Sequence, residues 1–226
     1  LASFGIGNMG QVNKIVANIE SAFSIPALAN VTLFGGVTLY SLIIGLFLMA
    51  LVAVIVLGGL QRIAAVAEKI VPFMVVLFVA GSLVIIGVNY AYILPAFKAI
   101  FVTAFKPIAA MGGGIGYIIS TVMTQGFKRG VFSNEAGLGS SVMVHSNSNV
   151  KEPVKQGMWG IFEVFADTFV VCTMTALVVL TSGVYDLNTG KIALEGVTDA
   201  TLVGAAFNSV FSVAGIGQKF IAICMF

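Results

Sequence analysis

Between Gln125 and Ser141 an otherwise apolar stretch carries Gly126-Phe127-Lys128-Arg129-Gly130-Val131-Phe132-Ser133-Asn134-Glu135-Ala136-Gly137-Leu138-Gly139-Ser140. Two cations, a carboxylate, an amide, hydroxyls and four glycines thus sit where one membrane span is expected. Each ionisable group at membrane depth costs about 2.5–3.5 kcal/mol on insertion scales, so such groups face a partner or a wet cavity. Glycines at these spacings let a helix unwind. Unwound backbone is tolerated in a bilayer only where it lines a cavity or is buried in protein. The segment therefore reads as a broken transmembrane helix with a solute site at the break.

Within the break, Ser133 or Asn134 can cap a second half-helix, with Glu135 in its first turn. The carbonyls of Val131, Phe132 and Ser133 would then lose their helical donors and accept from an ammonium or a hard cation. Phe132 would supply an apolar wall or gate. Glu135 either pairs with Arg129 or bonds across the break, with ion coupling as a further role. Asp167 and Thr168 lie mid-span, followed a turn later by Cys172-Thr173. A carboxylate there serves either a structural ion pair or a cation. Glu163, a like charge one turn earlier, suggests that one of the two lies nearer the interface. Asn8, Gln11, Asn13 and Lys14 form a second polar cluster. It serves helix–helix hydrogen bonding or, through Gln11, the same cavity as the break, since an amide both donates and accepts. His145, the only histidine, reads as an interface or capping residue.

The elements that must hold these groups are helices in a bilayer. Hydrophobic residues make up 59% of the chain and charged residues 9%, too few to cover a soluble domain. No charge occurs from Ser21 to Gln61, from Ile70 to Phe97 or from Pro107 to Phe127, and a span needs roughly 20 apolar residues. The fold class is all-α and polytopic.

Along the chain, residues 1–25 read as the end of a helix closed by Pro26, and Thr38 to Leu60 as a full span. Gln61 to Lys69 reads as a short polar connection, and Ile70 to Tyr90 as a span entered through Pro72 near its first turn. An amphipathic piece from Tyr92 to Phe105 carries Lys98 and Lys106 and lies at the interface. Residues 112–148 hold the discontinuous helix, and Met158 to Ser182 is another span. A turn-rich loop follows from Gly183 to Thr198, then a short helix from Ala200 to Phe211 and a last span from near Gly217. The Lys and Arg residues of the 61–69 and 146–156 loops place both in the cytoplasm, opposite the acidic 183–199 loop.

Several motifs drop out. Gly5-Ile6-Gly7-Asn8-Met9-Gly10 matches a dinucleotide fingerprint but lacks the strand before it and the βαβ unit around it. Asn30-Val31-Thr32 fits a glycosylation acceptor with no secretory setting. Cys172 and Cys224 lie in apolar helical stretches and read as buried thiols rather than a disulfide. A basic stripe with interleaved aromatics is absent, which argues against nucleic acid. There is no grouping of nucleophile, base and oxyanion donors and no metal-ligand cluster, so an enzyme is disfavoured.

Taken together, Gly130 through Ser140, then Pro153 and Gln156-Gly157, then Asp167-Thr168 and Cys172-Thr173, resemble the alanine/glycine:cation symporter family. The Gly5–Asn13 segment is similar to that family's pattern as well. The resemblance implies the amino acid–polyamine–cation superfamily, whose fold is two inverted five-helix repeats. The chain would then be one transmembrane transporter domain over residues 1–226, incomplete at both ends. It would run from within the third helix of that fold to the start of its eighth, with the 130–140 break in the sixth. The resemblance also implies sodium-coupled, sometimes proton-coupled, uptake of alanine or glycine across a cell membrane, of prokaryotic inner-membrane type. No organic cofactor is implied, Na⁺ being co-transported. Phe132, Ser133, Asn134, Gln11 and Val131 would contact the substrate. Arg129, Gly130, Glu135, Gly137, Gly139 and Asp167 would serve the break and the coupling. Lys14 departs from the small or polar residue common at its position in relatives.

Overall fold

The computed structural model describes residues 5–25, 28, 31–32, 37–104, 115–135, 137, 139–187, 191–194, 196–211 and 215–225. Helix α1 spans Ile6–Ala22 and α2 spans Leu39–Val56. Pro26, expected to close the first helix, lies outside the described residues. Thr38 starts α2 as its sequence suggests, its Oγ1 accepting from the Ser41 amide at 3.1 Å. That bond satisfies one of the amides a helix start leaves without a partner. The Tyr40 hydroxyl donates to the Phe23 carbonyl at 2.7 Å and so anchors α2 to the end of α1.

The expected polar connection at Gln61–Lys69 is instead helical. Helix α3 runs Gly59–Val88, and Pro72 falls inside it rather than in its first turn. Gln61, Arg62, Glu68 and Lys69 are interspersed with alanines, all strong helix formers, so charge alone does not end the helix. The chain turns at Gly58 and Gly59 instead, where Gly59 adopts φ 77°, a conformation that only glycine takes without strain.

After one 3₁₀ turn at Tyr90–Tyr92, helix α4 covers Ile93–Ala104. The discontinuous helix follows as α5 (Ile115–Ser133) and the short α6 (Ser140–His145). Helix α7 begins at Pro153, earlier than expected, and runs to Phe165; Pro there is well placed in a first helical turn. A π-helical segment, Ala166–Val171, leads into α8, Cys172–Thr181. The turn-rich loop contains a small antiparallel pair, β1 (Tyr185–Asp186) and β2 (Lys191–Ile192), with Tyr185 opposite Ile192. Helices α9 (Leu202–Val210) and α10 (Ile216–Met225) complete the order.

Three helical stretches among the described residues are long and apolar enough to cross a bilayer: Leu39–Val56, Gly59–Val88 and Pro153–Thr181. Only 11% of each span's most apolar window is buried within the protein, which leaves their apolar faces for lipid or further helices. This is a helical membrane protein.

The buried core gathers where α9 and α10 pack on α3 and α8. Phe207 is its centre, fully buried and stacked within 6.1 Å of Phe78 and 5.5 Å of Phe220. Two glycines permit the close approach. A Cβ at Gly217 would lie 2.3 Å from the Asn208 amide nitrogen, and one at Gly81 2.8 Å from the Phe207 ring. Small residues of this kind let membrane helices approach closely. Asn18, on α1, is almost fully buried. Its amide donates to the carbonyls of Lys14 and Ala200, each at 2.9 Å, and ties α1 to the turn before α9.

Candidate functional site

The helix does come apart, but later than the glycine spacing suggests. Val131 and Phe132 are still helical, and α5 ends at Ser133. Asn134 closes it. Both its backbone amide and its side-chain amide donate to the Gly130 carbonyl, each at 3.0 Å. The chain then leaves helical space through Glu135 (φ 51°), Gly137 (φ 76°) and Gly139 (φ 86°). Glu135 is the one non-glycine with positive φ among the described residues. An L-residue held there stores on the order of 1–3 kcal/mol, and such strain clusters at functional sites.

Ser133 and Asn134 therefore do not cap the second half-helix, and Glu135 is not in its first turn. Gly139 stands at that N-cap, with no side-chain bond to the helix. The physical reason is that Asn134 satisfies the preceding turn better than the following one, as a short amide commonly does at helix ends.

What the break touches is the π-helical segment. The Ser133 hydroxyl donates to Asp167 Oδ2. Thr168 Oγ1 donates to Asn134 Oδ1 at 3.1 Å. Ser133 Oγ also lies 4.0 Å from Cys172 Sγ. Cys172 is thus exposed at the junction rather than buried, whereas Cys224 is buried, and both thiols are free. A π-bulge rotates the following residues and is frequent at functional sites. Here Asp167 and Thr168, inside the bulge, meet the last residues of α5.

Ser133, Asn134, Glu135, Ser141, Glu163 and Asp167 border a cavity of about 200 Å³, with Gly160 and Val164 as its remaining wall. Its donor set is hard oxygen: carboxylates, hydroxyls and an amide. That set suits an ammonium or an alkali cation better than a soft metal. Glu163 and Asp167 both line it. Glu163 Oε2 also lies 3.5 Å from His145 Nε2. On the other side of that ring, the Gln156 amide meets Nδ1 at 2.7 Å. His145 thus joins α6 to α7. No motif in the sequence signalled this contact; the only hint was a lone histidine followed by a glutamine on the next helix.

The remaining predicted residues lie at varied distances from this cavity. Gly130, Gly137 and Gly139 shape the break. Val131 and Phe132 are 43% and 50% exposed and do not line the cavity. Arg129 is exposed on α5. Gln11 borders a separate, larger cavity of about 490 Å³ together with Lys14, Phe78, Asp199 and Val171. Val171 ends the π-helical segment that begins one residue before Asp167, so this segment walls both cavities.

The sequence profile of the sodium:alanine symporter family matches residues 1–226. The chain belongs to that family. Among its relatives, an uncharacterized transporter of Haemophilus influenzae is 37% identical over 98% of this chain and 45% of its own length. A sodium/alanine symporter of Methanococcus maripaludis is 36% identical over 95% of the chain and 43% of its own. A sodium/proton-dependent alanine carrier protein of Bacillus sp. is 34% identical over 96% of the chain and 46% of its own. The chain spans less than half the length of these curated relatives. The sodium:alanine symporter family is one of transporters, not enzymes, and the family name makes Na⁺ the co-transported ion, with no organic cofactor.

Proposed function

We propose that the protein carries a small neutral amino acid, alanine or glycine, into the cell together with Na⁺ by alternating access. It would reside in a prokaryotic cell membrane, with this chain as part of a two-times-five inverted-repeat domain over residues 1–226. The observation that carries the reading is the junction of two helical irregularities around an oxygen-lined cavity. The break after Ser133 and the π-helical segment at Asp167 meet through two side-chain bonds. A cavity of about 200 Å³ is below the roughly 300–1,000 Å³ of drug-sized sites. That favours a small solute.

In this account Ser133 and Asn134 contact the substrate, and Asp167 and Glu135 hold positive charge in the cavity. Phe132 and Val131 form the apolar wall once the remaining helices close against α5. Gln11, one wall away across the π-helical segment, meets the substrate during opening. Arg129, Gly130, Gly137 and Gly139 allow the half-helices to pivot. Bound Na⁺ and substrate carboxylate attract one another, so closure requires both and the ion gradient drives uptake.

The test is uptake of labelled alanine by the full-length protein in proteoliposomes, with Na⁺ replaced by choline at fixed pH. Loss of uptake in choline supports sodium coupling. Uptake that follows a pH gradient instead supports a proton-coupled carrier, a reading favoured by the Bacillus relative named as sodium/proton-dependent. Absence of alanine counterflow would leave a scaffold or channel module. Phe132→Ala in the full-length protein widens substrate choice or abolishes uptake; unchanged alanine kinetics would remove Phe132 from the site.

A further inference from the structure

The larger cavity, of about 490 Å³, is bounded by α1, α3, α8, α9 and α10. Its size falls within the roughly 300–1,000 Å³ of small-molecule sites, whose walls are mainly apolar with a few polar groups. Met74 and Phe78 line it from one face of α3, and Val203 and Ile221 line it from α9 and α10. Phe78 is held by its stack on Phe207, 6.1 Å away.

Two opposite charges border this apolar frame, Lys14 on α1 and Asp199 in the turn before α9. Among the described residues neither is in an ion pair; the pairs found there are His145–Glu163 and Glu152–Lys155. Asn18 fixes how the two stand. Its buried amide donates to the carbonyls of Lys14 and Ala200, so it ties the residue bearing the cation to the neighbour of the one bearing the anion. The two charges sum to zero and match a ligand that carries both, a carboxylate for Lys14 and an ammonium for Asp199. A lone anion or a lone cation leaves one of them without a partner. The smaller cavity differs, because Glu135, Glu163 and Asp167 line it with carboxylates. A ligand carboxylate there needs Na⁺ beside it. In the larger cavity Lys14 supplies the positive charge.

We propose that the larger cavity is a second amino-acid site, which takes a neutral α-amino acid with a bulky apolar side chain, such as leucine, and takes it without Na⁺. The carboxylate faces Lys14, the ammonium faces Asp199, and the side chain lies against Met74 and Phe78. Alanine covers too little of the apolar wall to compete, since each buried methylene adds to affinity. Binding here does not rest on the transport reading.

The experiment measures binding of labelled leucine to the purified full-length protein in detergent, with choline in place of Na⁺. Saturable binding is expected, at least about tenfold tighter than that of alanine in choline. Isocaproate and isoamylamine, which lack the ammonium and the carboxylate of leucine, should compete at least about tenfold more weakly than leucine. Lys14→Gln and Asp199→Asn should each weaken leucine binding about tenfold, while Na⁺-dependent alanine binding, the check on folding, stays within about twofold. Absence of saturable leucine binding, a requirement for Na⁺, or an analogue that competes as well as leucine would overturn the second site. So would displacement of leucine by the alanine that fills the smaller cavity in Na⁺, or unchanged leucine binding in both variants. Should neither variant fold, the two analogues on the parent protein decide. Alanine binding to the parent that ignores Na⁺ would sink the transport reading and leave the leucine result standing on its own.

Discussion

Thr168 Oγ1 donates to Asn134 Oδ1 at 3.1 Å and joins the π-helical segment to the residue that closes the broken helix. Because Asn134 spends its amide nitrogen on the Gly130 carbonyl, its oxygen is held in place by Thr168. The hydroxyl therefore positions the amide, and through it the end of α5.

Removing that hydroxyl tests the link. Thr168→Val keeps the shape and is expected to raise the Na⁺ concentration for half-maximal alanine uptake about tenfold, the equivalent of about 1.4 kcal/mol. Thr168→Ser restores it within about twofold, as expected for one net hydrogen bond. Equal kinetics in all three proteins would assign Thr168 a packing role only.

The strained conformation of Glu135 gives a second outcome. At φ 51°, glycine is at home where glutamate is not. Glu135→Gly relieves backbone strain, whereas Gly139→Val at φ 86° adds it. Thermal unfolding in detergent should show the valine variant less stable by about 1–3 kcal/mol and the glycine variant unchanged or slightly more stable. A strong loss in the glycine variant would mean that the carboxylate holds the break together.

The core makes a prediction unrelated to the site. Phe207→Ala removes the centre of an aromatic stack and should cost about 3–5 kcal/mol. Gly217→Ala drives a methyl toward the Asn208 amide and should loosen α9 from α10. Both are read as a lowered midpoint of thermal unfolding, with Gly10→Ala, which meets open space, as the neutral control.

Much of this was legible in the chain. The spans at Thr38–Leu60 and Met158–Ser182, a helix after Tyr92, the short helix before α10 and the existence of the break follow from apolar length and glycine placement. The Gln61–Lys69 stretch is helical despite its charges, because its Gln, Arg, Glu, Lys and alanines are all strong helix formers. The position of the break shifted by a few residues because Asn134 caps backward, a choice decided by local hydrogen bonding and not by composition. The contact of Ser133 and Asn134 with Asp167 and Thr168 joins residues 34 apart in sequence, and no periodicity encodes it. The π-helical segment likewise has no glycine or proline to announce it. His145 does end the second half-helix, as its place in the sequence suggests, but its partners Gln156 and Glu163 lie on the next helix, where no local pattern reaches them.

The most direct test is equilibrium binding of labelled alanine to the purified full-length protein across Na⁺ concentrations, in the parent and in Asp167→Asn. The amide still accepts from Ser133, so the fold is kept while the charge is lost. The parent should bind alanine only with Na⁺ present, and the variant should need at least about tenfold more Na⁺, about 1.4 kcal/mol. Alanine binding that ignores Na⁺, or an Asp167→Asn titration that overlays the parent's, would contradict a cation site at the junction of the broken helix and the π-helical segment.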